Sequence, residues 1–214
     1  MTQLLVVFDV DSTLIQEEVI ELLAANAGSL SLVTEVTERA MRGELDFEQS
    51  LRARVKTLAG LNASVLGSAF KQIHITPGAE QLIEYVHSVD GKVAAVSGGF
   101  NQLLEPLAQK LKLDYWLANE LEVVDDKLTG EVTGAIIDKP AKSSALKAWA
   151  SELGLDLAQT IAVGDGANDL DMLATAGLGI GFCGKPRVRQ AADLLVNVND
   201  LSQVIGLIGR AKKN

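Results

Sequence analysis

Leu4-Leu5-Val6-Val7-Phe8-Asp9-Val10-Asp11-Ser12-Thr13-Leu14 runs an unbroken apolar stretch straight into two carboxylates. An apolar run of this length with no polar face reads as a strand covered on both sides, the kind found inside a parallel sheet. Burying one unpaired carboxylate is costly, and two near each other repel. Asp9 and Asp11 at such a strand's end therefore imply a cation or a reactive partner. By themselves they fit a solvated acidic turn better, so the case for a site falls to the rest of the chain.

Working outward, residues 92–96, 160–163 and 178–182 repeat the short buried-strand pattern, preceded by helix-like stretches at 79–89, 141–153 and 169–176. Strands alternating with helices predict an α/β fold, a Rossmann-like parallel sheet core with helices on both faces and right-handed crossovers. Ligands of such sheets bind outside the carboxyl ends of the strands. Asp9 follows the first strand, Ser97-Gly98-Gly99 the second and Gly164-Asp165-Gly166 the third. Three strand ends thus converge on small, polar or acidic residues.

Between Leu14 and Thr76 the pattern changes to helical periodicity, in Val19, Ile20, Leu22 and Leu23 and then over 33–41, 47–58 and 65–73. Asp46 with Gln49 three residues on predicts a capping box, and Pro77 suits the first turn of the next helix. The expected division is a catalytic core of residues 1–14 and 76–214, with residues 15–75 inserted as a small helical cap over the carboxyl edge. A cap in that position acts as a lid, hinged at 11–18 and 73–78. A second interruption, 121–137, holds Asp125-Asp126-Lys127 as a hairpin turn.

The chain has 214 residues, 48% of them hydrophobic, which excludes disorder and suits one substantial core plus a small module. Its formal net charge of -9 argues against nucleic acid, whose binding depends on Lys and Arg neutralising phosphates. No stretch approaches the roughly 18 apolar residues that span a bilayer, and no secretory signal is visible. A single cysteine, Cys183, fits a reducing compartment, so the cytoplasm is expected. Cys183 reads as a small buried hydrophobe, and His74 and His87 as residues without acidic partners.

A carboxylate at a strand end can attack phosphorus, and phosphoryl transfer asks mainly for alignment and charge neutralisation. Mg²⁺ takes oxygen ligands, which Asp9 and Asp165 offer from different strands. Ser97 with the amides after it suits an anion, and Lys142 adds positive charge near a helix start. Asp9, Asp11, Asp165 and Asp169 carry about -4 if ionised; Mg²⁺, Lys142 and a proton on Asp11 bring this to about zero. A protonated Asp11 is also what general-acid catalysis requires.

Asp9-Val10-Asp11-Ser12-Thr13, Ser97-Gly98-Gly99, Lys142 and Gly164-Asp165-Gly166-Ala167-Asn168-Asp169 resemble, in order, the four motifs of the haloacid dehalogenase-like hydrolases. Glu17-Glu18, Met41-Arg42-Gly43 and the segment from Phe47 to Val55 are similar to the branch of that superfamily acting on O-phospho-L-serine. The likeness runs from about Leu4 to the last helix, so an N-terminal regulatory domain, present in some members, is expected to be missing.

The resemblance implies a Mg²⁺-dependent phosphomonoesterase that releases L-serine and phosphate, the last step of serine biosynthesis. Asp9 would be the nucleophile and Asp11 the general acid and base. The metal would be held by Asp9, the backbone carbonyl of Asp11, and Asp165, with Asp169 and Asn168 ordering its surroundings and the ligand. Ser97, Gly98 and Lys142 would bind phosphate, Glu18 the substrate ammonium and Arg54 its carboxylate. Glu18 also fits a solvated helix start, and Arg52 competes with Arg54, since two residues apart they point to different faces. Met41 and Phe47 fit either closure over substrate or core packing. Transfer of the phosphoryl group to a small alcohol such as homoserine is the alternative reaction. A non-catalytic phospho-aspartate receiver is disfavoured, having no use for Asp11.

Overall fold

The computed structural model describes residues 4–41 and 44–211. Strand β1 (Leu5–Phe8) is fully buried, and its side chains alternate between two separate cores. Val6 and Phe8 pack into one core, Leu5 and Val7 into the other. No polar residue interrupts the run because both faces of the sheet are covered. Each such side chain withdrawn from water contributes about 1.5–3 kcal/mol.

The other strands are β2 (Lys92–Phe100), β3 (Tyr115–Val124), β4 (Lys127–Thr133), β5 (Thr160–Gly164), β6 (Leu178–Phe182) and β7 (Leu194–Val196). Among the described residues they form one sheet in the order β4-β3-β2-β1-β5-β6-β7. β1 lies at its centre, parallel to β2 and β5, with Phe8 opposite Ala95 and Val163. That register brings the chain after Phe8, Ala95 and Val163 out at one level of the carboxyl edge. Only the β3–β4 pair is antiparallel among the described strands.

Helices α1 (Val19–Ala27), α2 (Leu30–Met41), α3 (Phe47–Lys56) and α4 (Ser64–Phe70) lie between β1 and α5 (Ala79–Ser88). α5 and α6 (Asn101–Leu111) cover one sheet face; α7 (Lys139–Glu152), α8 (Leu170–Thr175) and α9 (Pro186–Ala191) cover the other. A last helix, α10 (Ile205–Ala211), joins the first core through Ile208. α1–α4 are continuous with that core through Val19, Leu23, Val33, Leu51 and Val55. The two segments leading into and out of these helices run side by side. Ile15 pairs with Ile75, and Glu17 accepts hydrogen bonds from the His74 backbone at 2.9 Å and pairs with its ring Nδ1 at 2.6 Å.

Some local expectations hold and others change. The Asp46–Gln49 capping box is present in both directions. Pro77 precedes the helix rather than entering it, because Gly78 at φ 78° is the N-cap of α5. β2 runs on to Phe100 through an irregularity after Val96, so Ser97, Gly98 and Gly99 belong to the strand. The 121–137 interruption holds the antiparallel end of β3, a strand that changes partner midway, and its hairpin neighbour β4. Tyr115, Trp116 and Leu117 pair with β2, and the chain then turns at Asp125 and Asp126, φ 49° and 58°. Two positive φ values in sequence match the right-handed twist of a tight hairpin. The hairpin also holds the inserted helices: Gly60 N–H donates to Leu128 O at 2.8 Å and Ala63 N–H to Asp126 O at 2.8 Å.

Cys183 is exposed, because β6 ends at Phe182 and the cysteine turns out at φ 44°. His74 and His87 both have acidic partners, Glu17 and Asp114. No helix among the described residues is long and apolar enough to cross a membrane.

Candidate active site

Asp9 leaves β1 with its N–H bonded to Val163 O at 2.9 Å, so the neighbouring strand fixes its backbone. The next residues form a tight irregular turn, closed by Ile15 N–H on Val10 O at 3.0 Å, with Ser12 at φ 59°. This turn swings Asp11 back beside Asp9 and brings Ser12 Oγ within 2.9 Å of Glu18 Oε1. Glu18 caps α1, whose first N–H, that of Val19, points to Asp11 Oδ1 at 3.4 Å.

Lys142 rides on the first turn of α7, started by Asp138, whose side chain accepts from Ala141 N–H at 3.0 Å. Its ammonium is fully buried and donates to Asp9 Oδ1 and, at 2.7 Å, to Asp169 Oδ1. Asp169 is fully buried too, and its Oδ2 accepts from Gly166 N–H at 2.9 Å, so both its oxygens are engaged. Glycine is required at position 164, since a Cβ there would lie 2.6 Å from Asp169 Cγ. Lys185 Nζ binds Asp165 Oδ2 at 2.9 Å.

Electrostatics follow from this crowding. Burial, then the charge of Asp169, pushes the Asp9 carboxyl up to about 8 despite Lys142. Burial, Glu18 and Asp9 hold Asp11 well above the usual carboxylate range, which favours its protonated form. Burial pulls the Lys142 ammonium down, but Asp169 and Asp9 outweigh it and hold it above an ordinary lysine. Asp9, Asp165 and Asp169 each bring one oxygen within 4.8 Å of the others. Three buried carboxylates, hard oxygen donors all, fit a divalent cation of the Mg²⁺ or Ca²⁺ type.

These groups open on a cavity of ≈130 Å³, well below the roughly 300–1,000 Å³ of drug-sized sites and suited to a small metabolite. Asp9, Asp11, Asp165 and Asn168 form its sheet side with Gly98. Glu18, Phe47 and Arg54 approach from the inserted helices. Phe47 closes on Gly98, where a Cβ would meet its Cζ at 3.0 Å. Arg54 is braced by Nε on Ser50 O at 3.2 Å, whereas Arg52 turns outward to Glu48 at 2.8 Å. Burial lowers the Arg54 pKa, against which Glu18 and Asp11 act.

Two residues expected at the phosphate stand off the cavity wall. Lys142 is behind Asp9, and Ser97, 1% exposed, accepts Gly99 N–H at 2.8 Å beside a smaller void. Met41 has a side chain outside the described residues.

Sequence reasoning misses Lys185 and Asn119. Lys185 lines the cavity and follows β6 just as Asp9 follows β1, so the carboxyl-end rule applied to that strand finds it. Asn119 is buried and donates to Gly98 O at 2.9 Å while accepting from Ile137 N–H at 2.8 Å, which fixes the Gly98 carbonyl. It ends the parallel half of β3, a strand that shows no clear pattern in the sequence.

A strand-end aspartate pair, a buried lysine and an acidic third loop over a parallel sheet define a hydrolase of the phospho-aspartate type. Residues 6–174 match the family model of the haloacid dehalogenase-like hydrolases, and the chain belongs to that family. It is 55% identical over 207 residues to a phosphoserine phosphatase of Streptomyces coelicolor, covering 97% of this chain and 50% of that protein. It is 52% identical to the phosphoserine phosphatase of Streptococcus thermophilus, covering 98% of this chain and 97% of that one. A solved structure of a phospho-aspartyl intermediate analogue of phosphoserine phosphatase superposes with a TM-score of 0.91 at 42% identity, covering 97% of this chain and 99% of that chain. The chain therefore spans about half of the Streptomyces protein and nearly all of the Streptococcus one.

Proposed function

We propose that this chain hydrolyses O-phospho-L-serine to L-serine and phosphate through a phospho-aspartate at Asp9. The observation that carries the substrate reading is the pairing of Glu18 and Arg54 on the wall facing Asp9. An amino-acid head group needs one anion for its ammonium and one cation for its carboxylate, and arginine meets a carboxylate with two parallel donors. Supporting the covalent step, Asp9 is held by Lys142 on one oxygen, with the other unbonded among the described residues. Asp11, whose surroundings favour its protonated form, delivers its proton to the departing serine oxygen and afterwards takes one from water. Gly98, braced by Asn119, faces the phosphate, and Asn168 orders it from the third loop.

Mg²⁺ is the proposed cofactor, held by Asp9, the Asp11 carbonyl and Asp165. Asp169, with both oxygens occupied, serves Lys142 and the loop instead. A divalent cation held there would supply charge neutralisation for the phosphoryl oxygens and would favour the ionised Asp9 that attacks phosphorus. Helices α1–α4 are proposed as a cap, residues 15–75, closing on the sheet edge through Phe47. Reducing surroundings such as the cytoplasm suit the lone Cys183.

The test is phosphate release from a panel of phosphate esters with Mg²⁺ and with excess chelator. Metal-dependent release with strong preference for phosphoserine is expected. Equal rates across the panel would overturn the roles of Glu18 and Arg54; release that ignores the chelator would overturn the metal.

A further inference from the structure

Lys185 belongs to none of the family-like motifs, yet it touches one residue of the site twice. Its backbone N–H donates to the Asp165 carbonyl at 2.9 Å, and its Nζ reaches Asp165 Oδ2 at 2.9 Å. One residue thus grips Asp165 by main chain and side chain together.

The grip has a fixed base. Cys183 N–H donates to Val196 O at 2.8 Å, Arg189 Nε to Gly184 O at 2.8 Å, and Arg189 N–H to Lys185 O at 3.1 Å. Gly184 packs so tightly onto α9 that a Cβ would lie 2.9 Å from Val188 Cγ1. In an ordinary surface ion pair both partners are mobile and solvated. Here Asp165 is 6% exposed, and the lysine's Cα is pinned even though its side chain is 56% exposed.

We propose that Lys185 is a positioning residue that fixes the Asp165 carboxylate for the divalent cation and thereby sets the affinity of the metal site. This rests on the metal reading above. Engaging one carboxylate oxygen stops the group from rotating and presents the other as a donor, the outer-sphere role that orients metal ligands generally. A nearby ammonium also repels a cation, which acts in the opposite direction. Water around the exposed ammonium screens that repulsion, whereas the orientation of a buried carboxylate is not screened, so orientation wins.

The test is Mg²⁺ binding to the full chain by calorimetry, with no substrate present, for wild type, Lys185→Met, Lys185→Arg and Asp165→Asn. Lys185→Met is expected to weaken the Kd by about 10–100-fold, with Lys185→Arg between it and wild type. Unchanged thermal unfolding in chelator would show the loss is not one of folding. A Kd for Lys185→Met equal to wild type, or tighter, would overturn the proposal. If Asp165→Asn binds as tightly as wild type, the metal assignment falls and this inference with it. Weakening by Asp165→Asn but not by Lys185→Met overturns the inference alone.

Discussion

Replacing Lys142 by methionine keeps the volume and removes a buried charge, and its consequences can be worked from the distances. At 2.7 Å from Asp169 Oδ1, an effective dielectric of about 20 gives an attraction of about 6 kcal/mol. Asp9, in direct contact with the same ammonium, adds a similar amount. Against these stand the mutual repulsion of the carboxylates and a desolvation cost of several kcal/mol per ion. Removing one partner of such a cluster costs about 3–5 kcal/mol, because the remaining charges stay buried. The sign with pH follows. Without Lys142, the folded-state pKa of Asp9 lies still further above its unfolded value than the about 8 it has beside the lysine. An acid whose pKa is raised on folding binds more protons folded than unfolded, so stability falls as pH rises. Urea unfolding in chelator should therefore show Lys142→Met losing about 3–5 kcal/mol at pH 9, above the folded Asp9 value of the wild type, and distinctly less at pH 7. A loss below about 1 kcal/mol at pH 9, or one indifferent to pH, would refute the counter-charge argument.

Arg54→Ala should lower kcat/KM for phosphoserine by about 10–100-fold, the worth of one charge-assisted hydrogen bond, and leave turnover of a simple aryl phosphate unchanged; equal losses on both substrates would show a structural role. Thr13 Oγ1 is fully buried without a partner among the described residues, so Thr13→Val should raise unfolding stability in chelator by about 1 kcal/mol. A comparable drop would mean that the hydroxyl is satisfied. At the opposite edge of the sheet, burial would raise the Asp114 pKa, but Lys92, the Val93 N–H and His87 outweigh it and leave it lowered. That contribution is present above the unfolded value of about 3.9 and is lost as pH falls through the folded one. The stability gap between wild type and Asp114→Asn, followed by acid titration, should accordingly shrink below about pH 4; a constant gap would contradict this.

The sheet was legible in the sequence wherever strands are covered on both faces. β1, β5 and β6 are buried at every position and read as unbroken apolar runs. β3 was not, since Tyr115, Trp116 and Leu117 are half-buried and the strand changes partner midway. β7 is three residues long and carries no period. The site was readable as far as it follows strand ends and family motifs. What escaped are residues that act on other residues. Asn119 fixes a carbonyl from a strand without a clear pattern, and Lys185 fixes a carboxylate from the turn after β6, a strand end to which the carboxyl-end rule was not applied. Spacing could not choose between Arg52 and Arg54; the turn of α3 sends one to Glu48 and the other to the cavity. Cys183 was misjudged because a strand's last apolar residue and the turn after it look alike in sequence.

The covalent step at Asp9 is the centre of the account. Phosphoserine mixed with the Mg²⁺-loaded protein, quenched in acid within one turnover and digested, should yield a phosphorylated peptide modified at Asp9. The same experiment on Asp9→Asn should yield none. A phosphoryl group on another residue, or normal turnover by Asp9→Asn, would contradict it.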